Sequence, residues 1–488
     1  MQGGMLKNRL LAAWDQVRTS LWLLPLLMAA AGVGLAWAML EVDAGHGAED
    51  EVRAWWMNAG GAQDAQTLLS TLLTGVIAMA AMVFSATVVA LTLAANQYGP
   101  RLVRVFRADL TTQVALGTFA TTIVYLVLVL RMIRGDAAFH DVPHASVSIG
   151  TALALACVLA LLVFIQEVAR MAVADDVVER VGRELDAGID RLPVLTADEG
   201  QEHHRANKDG ADRQALWEGA GHVAQRQEGY VQAIDHEGLL AWAERHDAVL
   251  RLNFRAGDFV VAGDRRIHVH PPEAVEAAEA DAICKFVVVG RERTPTQDIE
   301  FAVRHLVEVA VRALSPGIND PFTAAAVIDR LRGCLTRLAG RRLPSRMLRD
   351  GAGRVRILRE TTTFAGLSDA AFHQIRQAAA SHPAVVIHLV EAIARIAEHA
   401  RTAEQRGALT RHARMVAGAG LRAAEEPGDR HDIERSLARA EQALADHGEA
   451  LQPSTGHQRN PPGSRSRPEP AADHAAERLQ PSCWVAKR

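Results

Sequence analysis

Residues 65–100 read AQTLLSTLLTGVIAMAAMVFSATVVALTLAANQYGP, about 36 uncharged positions between Asp64 and Arg101. A helix crosses the ~30 Å hydrocarbon core of a bilayer with roughly 20 apolar residues. The run is therefore longer than one crossing requires, and a buried core helix rarely stays uncharged for so long. Three further runs flank it: residues 21–40, residues 110–130 ended by Arg131, and residues 145–166 ended by Glu167 and Arg170. Lys7, Arg9 and Arg18 precede the first, as in a secretory signal. Its apolar core exceeds the roughly 7–15 residues of such a signal, which predicts an uncleaved span. Four membrane helices follow from these lengths alone.

The rest of the chain differs in composition. Of 488 residues, 49% are hydrophobic, 23% charged and 5% aromatic, with a net charge of −4. Mean hydropathy is near zero only because an apolar first third is averaged with a polar remainder. The lack of a basic excess argues against a nucleic-acid partner. Cys157, Cys284, Cys334 and Cys483 are scattered and form no CxxC or Cys/His cluster, so neither a disulfide framework nor a zinc site is expected.

Loop charges set the predicted orientation. Lys7, Arg9 and Arg18 precede the first span, Arg101, Arg104 and Arg107 follow the second, and Arg170, Arg180 and Arg183 follow the fourth. The first loop is acidic, with Glu41, Asp43, Glu49, Asp50, Glu51 and Asp64 against Arg53. Arg131 and Arg134 on the third loop dissent. Both termini are expected in the cytoplasm of a bacterial inner membrane, where thiols stay reduced.

Within the second span, Thr67, Thr71, Thr74, Ala78, Ala81, Ser85, Val88, Thr92 and Asn96 recur at helical spacing. All but Val88 are small or polar. Two readings are open: close helix packing, or a stripe lining a hydrated path in an oligomer. Thr71, Thr74, Ser85, Thr92 and Asn96 are its polar candidates. No Asp, Glu, Lys or Arg lies within a span, which weighs against a proton relay or ion-coupled transporter. Beyond Gly99-Pro100, Arg101, Arg104 and Arg107 share one arc of a short helix, and Leu102, Val103, Val105 and Phe106 share the other. Such a segment suits an interface with anionic lipid headgroups. In a ring of subunits the same arginines would gather anions at a pore mouth.

The polar part is predicted to begin with a charged continuation of the fourth helix over residues 175–192 and a hydrophilic loop over 198–214. His203-His204 reads as a solvated pair. Leu250, Leu252 and Phe254 alternate with Arg251, Asn253 and Arg255 as in a half-buried strand, and Ile267 and Val269 alternate with His268 and His270. His268 and His270 read as a titrating or surface pair rather than as metal ligands. Helices are expected over 298–314 and 321–339, joined by Ser315-Pro316-Gly317-Ile318-Asn319-Asp320-Pro321. Asp320 suits an N-cap and Pro321 the first helical position. This link reads either as an αα-hairpin or as a ligand or subunit contact through Ser315, Gly317, Asn319 and Asp320. A hairpin around residues 350–353 and helices over 368–380, 383–403, 408–424 and 432–445 follow. From about residue 452, Pro, Ser, Gly, His and Arg predict a disordered tail.

GxxxxGK[ST], HExxH, GxSxG and complete GxGxxG motifs are all missing from the sequence. No catalytic residue, cofactor or metal is therefore assigned.

The chain resembles a family of predicted bacterial membrane proteins catalogued as domain of unknown function 2254. The likeness rests on Val83-Phe84-Ser85 through Gln97-Tyr98-Gly99-Pro100-Arg101-Leu102, Gln113-Val114-Ala115-Leu116-Gly117-Thr118-Phe119, Gly229-Tyr230-Val231-Gln232-Ala233-Ile234-Asp235 and Gly257-Asp258-Phe259-Val260. Above all it rests on Arg312-Ala313-Leu314 followed by the Ser315–Pro321 link. It covers roughly residues 5–450 and implies four spans with a cytoplasmic domain, without an established activity to carry over.

The expected fold is thus a membrane α-helical part of four spans (1–170), a stalk and loop (171–215), a small cytoplasmic α/β region (216–295), a mainly helical region (296–450) and a tail (451–488). The expected function is a non-enzymatic, homo-oligomeric conduit in the lipid bilayer, regulated by its cytoplasmic domain. The alternative is a membrane-anchored sensor or scaffold without transport.

Overall fold

The computed structural model describes residues 22–45, 61–98, 109–133, 143–171, 174–195 and 217–450. The stretches carrying Arg101, Arg104, Arg107, His203, His204, Cys483 and the tail from residue 451 lie outside them.

Four helices form where the uncharged runs predict them: α1 (Leu23–Gly45), α2 (Ala62–Tyr98), α3 (Leu110–Met132) and α4 (His144–Met171). Each is long and apolar enough to cross a bilayer. α3 is the most enclosed. Phe119, Tyr125, Leu126 and Val129 fill the space between it and its neighbours. Gly117 and Gly32 permit its close approach to α1, because a Cβ at Gly117 would strike Met28 and one at Gly32 would lie 3.0 Å from Thr121. Outside the bundle, Trp22, Trp37, Met82, Leu155 and Leu159 are exposed. Surfaces so rich in large apolar groups are unfavourable in water and natural in lipid.

Polar contacts pin the bundle at opposite ends, as up-and-down connection demands. At one end, the Asp43 carboxylate accepts from the Ala145 and Ser146 amides (3.1 and 2.9 Å) and from Ser146 Oγ (2.6 Å). It thereby caps α4 with a group from the end of α1. There too, Gln66 Nε2 donates to the Ile133 carbonyl at 3.0 Å. At the other end, Asp109 caps α3 by accepting from the Thr112 amide at 2.9 Å.

α5 (Ala174–Asp190) does not run straight on from α4 as the sequence pattern suggests. Arg180, six residues into α5, bonds to Glu167 of α4 (2.9 Å) and Asp109 of α3 (3.4 Å). A continuous helix would hold residues 167 and 180 about 20 Å apart. α5 is therefore turned back against the bundle, and Val177, Val181, Leu185 and Ile189 are buried in the polar domain's core. A free charged stalk would leave them exposed.

The α/β lobe contains β1 (Gly221–Val223), β2 (Gly229–Ile234), α6 (His236–Arg245), β3 (Val249–Leu252), β4 (Phe259–Val260), β5 (Ile267–His270), α7 (Ala277–Lys285) and β6 (Val287–Gly290). Leu250 and Leu252 of β3 and Ile267 and Val269 of β5 face the core, around Trp242 and Phe254. One sheet has order β4-β2-β6, all antiparallel.

Past α8 (Ile299–Ala313) and α9 (Pro321–Ala339), β7 (Met347–Arg349) and β8 (Val355–Arg359) form the predicted hairpin. β8 then joins β3 in parallel, Leu250 opposite Ile357, giving a second sheet β1-β5-β3-β8-β7. The α/β lobe thus takes strands from residues 347–359 and is not confined to 216–295. α10 (Phe364–Ala378), α11 (Pro383–Ala397), α12 (Ala403–Ala423) and α13 (Pro427–Ala450) complete the helical lobe with α5, α8 and α9. Thr402 and Gln405 form a reciprocal capping box at α12. Leu91, near the end of α2, packs against this helical core, which places the second membrane helix in direct contact with the polar domain.

Candidate functional site

The second membrane helix is 37 residues long, about 55 Å, and its faces are sharply divided. At 100° per residue from Thr67, the buried Ala65, Leu69, Val76, Val83 and Thr87 fall within roughly 160–200°. The stripe from Thr67 to Thr92 falls within roughly 60° either side of zero, an arc that also holds the exposed Met82 and Val89. All eight of its described side chains, Thr67, Thr71, Thr74, Ala78, Ala81, Ser85, Val88 and Thr92, are exposed. The stripe therefore points away from the described part of its own bundle. The Asn96 side chain is outside the described set. Thr71, Thr74 and Thr92 donate to the carbonyls of Thr67, Ser70 and Val88 at 2.7–2.8 Å. Intrahelical bonding of this kind leaves the hydroxyl oxygens as acceptors on the exposed face.

The link after α8 has the predicted hairpin form. Ser315 Oγ donates to the Arg312 carbonyl at 2.6 Å, and the Asn319 amide donates to the Ser315 carbonyl at 2.8 Å. Asn319 adopts φ +50°, a left-handed conformation that asparagine tolerates better than most residues. Its Oδ1 meets His382 Nε2 at 3.1 Å. Asp320 caps α9: Oδ1 accepts from the Phe322 and Thr323 amides, both 3.1 Å, and Oδ2 from the Thr323 hydroxyl at 2.5 Å. The Thr323 bond is the largest influence holding this carboxyl below its ordinary range. Ser315, Asn319 and Asp320 are thus engaged in shaping the turn. A Cβ at Gly317 would meet nothing within 4 Å. Beside them stand two exposed apolar groups, Ile318 in the link and Phe322 in the first turn of α9, the latter 85% exposed.

Among the described residues, one grouping has metal-ligand chemistry: Asp369 and His373 on α10 with His412 on α12. Asp369 Oδ1 already contacts His412 Nε2 at 2.8 Å, Arg411 Nη2 at 2.7 Å and His373 Nε2 at 3.4 Å. A cation there would sit beside the Arg411 guanidinium, so the arrangement serves as a polar bond between two helices. No local sequence pattern announces it, because its halves are 43 residues apart. His412 is fully buried, and burial pushes its pKa down to about 4 despite the Asp369 contact. The unfolded imidazole titrates near 6.5. The unfolded state therefore binds the extra proton first, and the contribution is intact above pH ~6.5 and lost toward pH ~4. About 3 kcal/mol should go over that window. Comparing denaturation of the wild type and His412→Gln between pH 7 and 4 checks this, with the variant expected to show the shallower slope.

A model of the family described as predicted membrane protein (DUF2254) matches residues 18–395. The chain belongs to that family. The chain is similar to uncharacterized proteins of Mycobacterium tuberculosis and Mycobacterium bovis, each 30% identical over 450 residues, covering 90% of this chain and 83% of the relative. A further Mycobacterium tuberculosis protein, also uncharacterized, is 29% identical over the same length. No solved structure matches the chain. With four apolar helices and this membership, the protein is a multi-pass membrane protein. The family brings no activity to any residue above.

Proposed function

We propose that this protein is a non-enzymatic, homo-oligomeric conduit of the bacterial inner membrane, with both chain ends in the cytoplasm and the polar domain regulating passage. The second spans of neighbouring copies would meet along the stripe and line the path. The observation carrying this reading is that Thr67, Thr71, Thr74, Ala78, Ala81, Ser85 and Thr92 face outward from a bundle whose other exposed groups are mostly large and apolar. Small and hydroxyl-bearing side chains, though interspersed here with Met82, Val88 and Val89, gain little from lipid tails, whereas they allow close helix approach and offer oxygens to water. The contact of Leu91 with the helical lobe and the clamp of Arg180 on Glu167 and Asp109 support coupling between the polar domain and the spans.

The test is reconstitution of the full chain in liposomes loaded with a self-quenching dye or a potassium gradient. Protein-dependent flux is expected. Persistent impermeability to ions and small solutes, with the protein correctly inserted, would leave the anchored sensor as the better reading.

A further inference from the structure

A cavity of about 270 Å³ lies where the α/β lobe meets the helical lobe, close to the size of small-ligand pockets. Its wall is assembled from six distant segments: the end of α5 with Arg191, the β2–α6 junction with His236, the segment of Arg255 and Ala256, the start of α8, Pro344, and the end of β8 with Arg359. Most charges around it are already matched. Arg255 pairs with Glu300 and bonds Thr362 Oγ1 at 2.9 Å, and Asp298 pairs with Arg293. Gln297 is spent on the Ile234 amide and carbonyl at 3.0 and 3.1 Å.

Arg359 and Arg191 are different. Among the described residues neither has a carboxylate within 4.0 Å. Arg359 has only Nε engaged by a side-chain bond, to the Ser345 carbonyl at 2.9 Å. Burial alone holds its guanidinium below the usual arginine range. An arginine taken partly out of water without a counter-charge is costly, and in a cavity wall that cost points to an anion supplied from outside. Beside it, His236 Nδ1 is buried without a hydrogen-bond partner. Burial first, and then the Arg359 charge, push this imidazole down to about 3, so it stands neutral and can offer an N–H. Against two unmatched cations the wall has one exposed acid, Glu360. Ile234, Ile299 and Pro344 give the wall its apolar part, beside Thr296, Thr361 and Thr362.

We propose that this cavity binds a small organic anion, its carboxylate or phosphate head held by Arg359, Arg191 and His236 and its apolar body seated against Ile234, Ile299 and Pro344. A planar guanidinium fork suits either oxyanion. Because the walls come from both lobes, occupancy would tie them together and stabilise the folded domain in proportion to ligand concentration over Kd. The inference is independent of whether the second spans line a conduit.

The experiment is calorimetric titration and thermal unfolding of the full chain in detergent with phenyl phosphate, benzoate and the neutral benzyl alcohol. Saturable binding of at least one anion is expected, with benzyl alcohol at least tenfold weaker. Arg359→Gln should weaken binding at least tenfold. Arg191→Gln, at an exposed position that the fold does not need, should weaken it several-fold and keeps the test valid if the first variant misfolds. Lack of saturable binding by both anions, or affinity unchanged in the folded variants, would overturn the proposal. In a parallel titration, inorganic phosphate is expected to bind more weakly than phenyl phosphate, and equal affinity would overturn the apolar half of the site.

Discussion

Replacing Glu300 with glutamine should lower the stability of the polar domain by about 3 kcal/mol, the lower end of the range for breaking a buried ion pair. Glu300 begins α8 with a side chain only 4% exposed. Its carboxylate takes a short bond from Arg255, one of 2.6 Å from Arg304, and a longer contact of 3.9 Å from Arg293. Burial pushes its pKa up, but Arg255 and Arg304 outweigh this and hold it below the ordinary glutamate range. Glutamine keeps the volume and removes the charge, leaving the half-buried Arg255 with only its 4.0 Å contact to the Asp258 carboxylate, while Arg293 keeps its pair with Asp298. The partial exposure of Arg255 lets water answer some of the loss, which sets the lower figure. By contrast, Arg414→Gln removes a surface pair with Glu441 whose side chains are 64% and 39% exposed, and should change stability by less than ~0.5 kcal/mol. For a unit of this size ~3 kcal/mol corresponds to roughly 6–12 °C in Tm. Thermal unfolding of both variants in detergent checks the contrast. Equal, small shifts would mean that the Arg255–Glu300 contact does not hold the lobes. The sign with pH follows: the stabilisation is present above the unfolded glutamate pKa and is lost as pH falls through the lower folded value.

The second large effect concerns the membrane stripe. Thr74→Leu with Ser85→Leu adds bulk to the outward face of α2 without touching the chain's own bundle, so insertion and folding of one copy should be unchanged. If two copies meet there, overpacking costs about 1–3 kcal/mol per site. Association should weaken by roughly thirty-fold or more, and flux through reconstituted protein should fall with it. Leu159→Ala, on the exposed side of α4, is the matched change on a lipid-facing surface and should leave both untouched. Unaltered flux and assembly in the double variant would remove the stripe from the account.

The membrane helices were readable in advance because the bilayer imposes its requirement locally: twenty uncharged residues mean the same whatever lies elsewhere in the chain. The cap at Asp320 and the proline at position 321 were equally local and fold as the residues predict. What escaped was long-range. The parallel pairing of β8 with β3 joins residues 357 and 250 with no shared period to betray it. The fourth and fifth helices read as one uninterrupted helix, and only the reach of Arg180 back to Glu167 shows that α5 lies against α4. His236, Arg191 and Arg359 meet at one cavity from three separate segments, and each alone reads as an ordinary surface residue. In the link before α9, the polar residues singled out by their type turn out to build the loop, while Phe322, in the first turn of α9, stands exposed.

Disulfide trapping in native membranes tests the central claim most directly. In a chain whose four cysteines are replaced by serine, Ala81→Cys and Ser85→Cys should each give covalent dimers under mild oxidation, while Leu159→Cys stays monomeric. Monomer alone at the two stripe positions, or equal trapping at Leu159→Cys, would contradict the meeting of second spans on which the proposed conduit stands.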